Sequence, residues 1–570
     1  MALPLAIYEE KKFTSSAVTL TEAEPIDIEP IAPPKPNNDL SWFQIQFNHT
    51  SITPAVVEWR YKGQGTPENP YVVDFIADDH RNALLWTPFR KWSITALKAI
   101  SVLAVTFVST AYSSEIGSLI EEFHISTLGA LAGVSLFVLG FSIGPLFWAP
   151  LGELYGRQIT FFISYAALTI LNAITAGLDS YYAIAVLRFL AGAFGSSPLT
   201  NSGGVIADMF APKERGFATS LFAAAPFLGP AIGPIAGGFL SQARGWRWVE
   251  GLMAIFTGTL WILVALYVPE TYAPVLLRKR AVRLSEITGH SYISKLEVGR
   301  PKKTVSQQFK IALSRPWIFL FKEPIVTILT VYQAIIYGTL YLMFAAFPIV
   351  FMEQRNWSAG ISGLAFLGLA VGMVFAVLYS AYDNKTRYTK LCEANGGAPV
   401  PEARLRLSLY GSILCPIGLF IFAWTNGLNV PYIVPIIASG IFGAGLVSVF
   451  LSTTNYLVDS YTVYAASVLA ASSILRSLFG AAFPLFTDPL YKAAGIHWGS
   501  SVPAFLALVC LPFPWIFNKY GKSIRAKCKW AAEAQEMLAK IRAQNGQQAK
   551  AAVEENKLGP QKPQPVKQVV

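Results

Sequence analysis

Apolar residues in this chain collect into long runs separated by shorter polar intervals. The runs fall at roughly 94–114, 127–147, 160–178, 182–206, 218–240, 248–268, 324–350, 361–381, 408–426, 431–451, 465–486 and 498–517. Each is close to the twenty or so residues a helix needs to cross a hydrocarbon layer about 30 Å thick. A segment in that layer must satisfy its backbone internally, which a helix does. The pattern predicts an all-α membrane protein with twelve transmembrane helices. The eleventh run is the hardest to delimit, because the stretch from Ser452 to Tyr464 stays half apolar.

The polar intervals divide the chain. The longest internal one, 269–323, separates two sets of six runs, the organisation expected of two six-helix bundles. The domains are then a cytoplasmic extension 1–93, a first half 94–268, a basic linker 269–323, a second half 324–517 and a tail 518–570. A faint echo supports the repeat: Gly133–Gly140 in the second run resembles Gly363–Gly368 in the eighth. The first extension is Pro-rich and has no apolar core of a cleavable signal. The tail is Ala/Glu/Lys/Gln-rich, with a surface helix expected before it becomes disordered. Neither extension offers an identifiable site.

Lys and Arg fix an orientation. With the N-terminus in the cytoplasm, the inner loops carry 19 basic residues and the outer loops 4, as the positive-inside rule requires. Both termini are then cytoplasmic. Asn356-Trp357-Ser358 becomes the only glycosylation sequon outside, with Asn48-His49-Thr50 and Asn384-Lys385-Thr386 inside.

Composition agrees. Apolar residues are 53% and charged ones 14%, against about a quarter charged in soluble domains. The net charge of +11 sits in loops and tails, so nucleic acid is not expected as a partner. Cys392, Cys415, Cys510 and Cys528 have no metal-ligand or disulfide spacing. The five histidines (His49, His80, His124, His290, His497) lie outside the runs. No metal, cofactor or intramembrane His relay is expected. Gly140-Phe141-Ser142-Ile143-Gly144 matches a hydrolase nucleophile elbow but lies inside an apolar run instead of after a strand.

Three stretches carry more than hydropathy. The loop after the second run reads Ala149-Pro150-Leu151-Gly152-Glu153-Leu154-Tyr155-Gly156-Arg157-Gln158; a carboxylate before a Gly-Arg pair suits a helix cap with an ion-pair partner. The fourth run holds Leu187-Arg188-Phe189-Leu190-Ala191-Gly192, and an embedded Arg faces a cavity or a partner unless it snorkels from a helix end. The fifth run reads Gly229-Pro230-Ala231-Ile232-Gly233-Pro234-Ile235-Ala236-Gly237-Gly238. Small residues there permit close helix approach, and each Pro removes a helical donor.

These stretches resemble three motifs of the major facilitator superfamily, in the form typical of its fungal twelve-span drug:proton antiporters. That branch includes multidrug, polyamine and secondary-metabolite exporters. Ala149, Leu154, Gln158 and Ser220 depart from the family pattern. Pro269-Glu270-Thr271-Tyr272-Ala273-Pro274, Arg315-Pro316-Trp317 and Asn455-Tyr456-Leu457-Val458-Asp459 are similar to the fungal branch specifically. The resemblance covers about residues 60–525 and implies proton-driven export by alternating access. It assigns gating and coupling to Glu153, Gly156, Arg157, Arg188 and Asp208, and an antiporter-motif helix to Gly229, Pro230, Gly233, Pro234, Gly237 and Gly238. The partners expected are a small-molecule substrate, protons and a lipid bilayer. A monomer in the plasma membrane is expected, with the vacuole or another endomembrane as the alternative. Nutrient import is the second reading, and a multispan membrane enzyme a third.

The residues add a cavity. Gln333, Tyr337 and Tyr341 recur every four residues and so share one helix face, which suits contacts to an organic molecule; helix packing is the bland alternative. Tyr112 and Arg476 complete the expected cavity. Glu115, Asp208, Glu250 and Asp459 are expected near span ends, leaving Arg188 and Arg476 without a deep carboxylate. That balance predicts a neutral or anionic amphipathic substrate.

Overall fold

The computed structural model describes residues 40–299, 304–396, 398–537 and 539. Within them lie eleven continuous helical stretches long and apolar enough to cross a membrane. The last, Thr462–Lys527, has 66 residues, roughly 100 Å if straight. It is not straight. Gly495 adopts φ 71°, ψ 166° inside it, a conformation open to a residue without Cβ. Tyr491 Oη and Ser500 Oγ, nine residues apart, then lie 2.8 Å from each other, where one helix would hold them about 13 Å apart. The chain reverses at Gly495, and the stretch is two spans. The total is twelve.

Spans one to six are Pro88–Ala111, Thr127–Tyr155, Arg157–Thr175, Tyr181–Met209, Ala225–Arg244 and Trp246–Tyr267; seven to ten are Pro324–Phe347, Phe366–Asp383, Arg406–Thr425 and Ile433–Ser460. Span ten absorbs the half-apolar stretch after Ser452. It continues because Asp459 at its end accepts from Arg404 Nε at 2.8 Å and Tyr388 Oη at 2.5 Å, so polarity does not force the helix to stop. Span one also outlasts its apolar run, passing through a turn at Tyr112–Glu115 into Ile116–Phe123.

Glycines set the spacing within each half. A Cβ on Gly192 of span four would strike Phe137 C at 2.7 Å on span two, and one on Gly140 would meet Gly192 C at 2.6 Å. In the second half Gly372 of span eight meets Gly440 of span ten in the same way, at 2.7 Å from Gly440 C. Spans two and four thus correspond to spans eight and ten, the relation the faint sequence echo suggested.

The extension before span one and the segment after span six fold together. Strand β1, Tyr71–Val73, pairs in parallel with β2, Tyr292–Ser294. Val56, Val73 and Ile76 pack against Leu277, Ala281 and Leu284 of the linker helix Ala273–Thr288. A buried ion pair, Arg280 Nη1 to Asp79 Oδ2 at 2.6 Å, closes this module. The described part of the extension, residues 40–87, is therefore a built structure, where the sequence suggested only a Pro-rich stretch without an identifiable site.

Candidate functional site

Arg188 lies two turns into span four and is completely buried. Its Nη2 donates to Val108 O of span one at 3.1 Å, and its guanidinium lies over the rings of Tyr112 (4.6 Å) and Phe137 (4.4 Å). Two carboxylates share this neighbourhood. Glu115 and Glu250 are both 0% exposed, and each interacts electrostatically with Arg188, as does Glu115 with Glu250. All four of their oxygens, and Arg188 Nη1, lack a hydrogen-bond partner among the described residues.

This corrects one sequence expectation: Arg188 is not without a buried carboxylate. Glu115 and Glu250 do lie near span ends, yet both are fully buried. Glu115 is buried because span one runs on to Phe123, placing it inside a helical stretch of 36 residues. The residues that open span six just before Glu250 are tied to neighbouring segments. Trp246 Nε1 donates to Glu122 Oε2 at 2.7 Å, while Arg247 pairs with Glu122 at 2.8 Å and Asp179 at 2.7 Å. The acidic pair Glu121-Glu122 made the apolar run look finished at Glu115. Tyr112 belongs to this cluster.

A second polar set lies on span seven. Gln333 Nε2 donates to Thr453 Oγ1 at 2.7 Å and Thr454 Oγ1 at 3.0 Å on span ten, and its Oε1 accepts from Ser472 of span eleven. Gln333 is thus tied into helix packing. Tyr341 Oη lies 2.9 Å from Ser109 Oγ of span one and bridges the two halves. Tyr337 Oη donates to Tyr341 Oη at 3.5 Å, and Arg476 of span eleven stacks over Tyr337 (4.9 Å) and Phe450 (5.0 Å). Phe450 meets Phe227 of span five at 4.8 Å. Gln333, Tyr337, Tyr341 and Arg476 do share one region, where the halves touch. Tyr337→Ala is expected to change which compounds are carried, with surface expression intact; loss of the protein itself would assign Tyr337 to packing.

Span five lies between the halves. A Cβ on Gly233 would meet Ala111 N at 2.8 Å and Phe107 O at 2.9 Å; one on Gly229 would meet Phe107 N at 2.9 Å, and one on Gly237 Ala111 O at 2.8 Å, all on or just beyond span one. Gly238 faces Ala359 O, at 2.6 Å from its would-be Cβ, in the short helix Ala359–Leu364 that leads into span eight. Pro234 has no N–H to give Pro230 O, and Thr110 Oγ1 donates to that carbonyl at 3.1 Å instead, as a polar group freed inside a membrane requires.

A model of the Major Facilitator Superfamily matches residues 99–484, from within span one to within span eleven. The chain belongs to the major facilitator superfamily. It is 53% identical over 502 residues to the major facilitator superfamily multidrug transporter mdrA of Aspergillus fumigatus, covering 88% of this chain and 82% of that one. It is 54% identical over 511 residues to the MFS-type efflux pump MFS2 of Trichophyton rubrum (90% and 86%), and 52% identical over 503 residues to the efflux pump FUBT of Fusarium oxysporum (88% and 84%). Among solved structures, the proton:xylose symporter XylE superposes with a TM-score of 0.55 at 17% identity, covering 76% of this chain and 97% of that one. That likeness is one of fold.

In this superfamily member the loop between spans two and three departs from the sequence expectation. Glu153 is exposed and forms no ion pair among the described residues. The capping carboxylate is Glu270, just beyond span six, which accepts from Arg157 N and Gln158 N at 3.0 Å each and from Tyr272 N at 2.9 Å. With Thr271 N donating as well at 3.0 Å, four backbone N–H groups, two of them at the N-terminus of span three, make a strong carboxylate cradle. Gly156, at φ 108°, leaves room for it, since a Cβ there would collide with the Glu270 carboxyl. The Arg157 side chain donates to Asn201 Oδ1 at 2.9 Å and stacks over Tyr272 at 4.7 Å. Asp208 lies nearby, accepting from Thr271 Oγ1 at 3.1 Å. The fungal-type stretch containing Glu270 was visible in the sequence; its pairing with a loop more than a hundred residues earlier was not.

Proposed function

We propose that this chain exports small amphipathic organic molecules by proton antiport, with the two halves rocking about the contact region of spans one, five, seven and eleven. The observation that carries the reading is the Glu115–Glu250–Arg188 cluster. Two carboxylates and one guanidinium in a solvent-excluded volume leave one negative charge in excess, and an uncompensated buried charge costs several kcal/mol. A proton is the smallest cation able to cancel it. Binding one there and releasing it when the halves move supplies the coupling step of a secondary transporter. The relatives' names, multidrug transporter and efflux pump, support export. Arg157 and Asp208, with Gly156 as the turn, form the gating set near the linker, where Asn384 Nδ2 of the second half reaches Ser220 Oγ of the first at 3.5 Å. Cells expressing the protein are expected to accumulate less of a labelled amphipathic toxin than cells without it, and dissipating the proton gradient is expected to remove the difference. Raised accumulation would make the protein an importer; persistence without the gradient would leave it a facilitator or a carrier driven otherwise.

We assign the linker end to the cytosol on the basic-loop asymmetry; the plasma membrane and a monomeric state are proposed from the family resemblance alone. An impermeant thiol reagent is expected to label a cysteine placed at Asn356 in intact cells and to miss one placed at Asn384. Surface labelling at 384 would overturn the orientation.

A further inference from the structure

The module formed by the N-terminal extension grips the loop between spans two and three. Gln46 Nε2 donates to Ala265 O at 2.7 Å and Val268 O at 3.0 Å, at the end of span six. Gln158 Nε2 donates to Gln46 O at 3.0 Å, which fixes the orientation of the Gln158 amide and turns its Oε1 toward His49. His49 Nε2 lies 2.7 Å from that oxygen, and His49 Nδ1 lies 3.1 Å from Lys279 Nζ of the linker helix.

Both contacts specify one form of the ring. Gln158 Oε1 can only accept, so Nε2 carries the hydrogen. An ammonium can only donate, so Nδ1 presents a lone pair. The docked imidazole is neutral. A second proton would place an N–H against the Lys279 ammonium, breaking that contact and setting two like charges about 3 Å apart.

We propose that His49 is a sensor of cytosolic pH: the neutral ring docks the N-terminal segment on Gln158 and positions the loop between spans two and three for transport, and protonation releases it. His49 acts as a positioning residue, through Gln158. The groups facing it are Gln158 from span three, Lys279 from the linker helix, Glu270 from beyond span six and Arg81 from its own extension. Burial first, then Lys279, pull the His49 pKa below its ordinary value; Arg81 acts in the same direction, while Gln158 and Glu270 oppose it. For a ring whose docked pKa lies below its undocked one, docking is at full strength above the undocked pKa of about 6.5 and weakens as pH falls from there. Each unit of separation is worth about tenfold in the docking equilibrium. Resting on the antiport reading, the device is self-limiting, because protons brought in by transport would slow further transport.

The test uses the full chain in lipid nanodiscs. Hydrogen exchange at 41–49 and 71–73, corrected for intrinsic rates, is compared about one pH unit above and one below the ordinary imidazole value. In the wild type, exchange at 41–49 is expected to rise several-fold on the acid side. In His49→Gln, which keeps an amide donor for Gln158 but cannot be protonated, it is expected to stay level, and in Lys279→Met the step is expected to shrink. Efflux in proteoliposomes with the cytosolic-side pH varied is expected to follow, with His49→Gln losing the acid inhibition. A wild type without an acid-induced rise, or a His49→Gln variant that keeps it, overturns the proposal. Because exchange is read without transport, failure of the antiport reading would leave this result standing.

Discussion

Either Glu115→Gln or Glu250→Gln alone is expected to yield a well-expressed protein that still exchanges substrate across the membrane but no longer concentrates it. Each substitution leaves one carboxylate and Arg188, so the cluster is neutral without a proton. A neutral buried pair has little reason to bind one, and with no proton carried the gradient cannot drive export. A fall of at least about tenfold in the steady-state gradient corresponds to only about 1.4 kcal/mol of lost driving force, well within what one proton supplies. Arg188→Gln is a different change. It leaves two carboxylates buried without a cation, and breaking a buried pair costs about 3–5 kcal/mol, so that variant is expected to be lost from the membrane. Intact gradient-driven efflux in both single Glu variants would remove this cluster from the coupling mechanism. Substrate exchange at equal proton concentrations on both sides separates a coupling defect from a general one.

That cluster marks where sequence reasoning stopped. Periodicity finds what is local: the four-residue spacing of Gln333, Tyr337 and Tyr341 placed them on one face, and hydropathy located each span while missing some ends, since span two runs on to Tyr155, span five starts at Ala225 and span ten runs on to Ser460. What it missed depends on partners distant in the chain. Glu115 looked like the first residue of a loop, because nothing nearby reveals that span one continues or that Glu250 is buried close to Arg188. Tyr112 was grouped with the cavity as an aromatic on span one, yet its ring lies against the Arg188 guanidinium. Glu153 drew attention as the family's acidic position, while the carboxylate bonded to the helix start is Glu270. The three-residue pairing of Tyr71–Val73 with Tyr292–Ser294 joins segments 221 positions apart, and strands that short leave almost no periodic signal. Gly495 shows the converse. Its reversal was legible, since the apolar runs on either side are each one span long.

The structure also changes the argument about substrate charge and sharpens the remaining test. With Arg188 facing Glu115 and Glu250, the embedded cations Lys98, which lies over the Phe161 ring at 3.7 Å, and Arg476 are without an ion pair among the described residues. Its guanidinium lies against the rings of Tyr337 and Phe450, and its Nη2 donates weakly to Ser473 Oγ at 3.4 Å; it forms no ion pair among the described residues, and its buried Nε has no hydrogen-bond partner. Aromatic faces stabilise a cation by about 0.5–2 kcal/mol, less than the roughly 3 kcal/mol that a charge costs at mid-membrane depth. The deficit favours an anion beside Arg476, and the neighbouring Tyr337 and Tyr341 rings, buried in this structure, would meet the apolar body of such a ligand once the halves part. An aromatic carboxylic acid is therefore expected to be exported well and spermidine poorly. Arg476→Gln is expected to cut carboxylate export at least tenfold, since a charge-assisted hydrogen bond is worth about 1.5–3 kcal/mol, and to leave a neutral aromatic substrate within about twofold. Robust spermidine export that is indifferent to Arg476→Gln would show that Arg476 is neutralised by its surroundings and does not select the substrate.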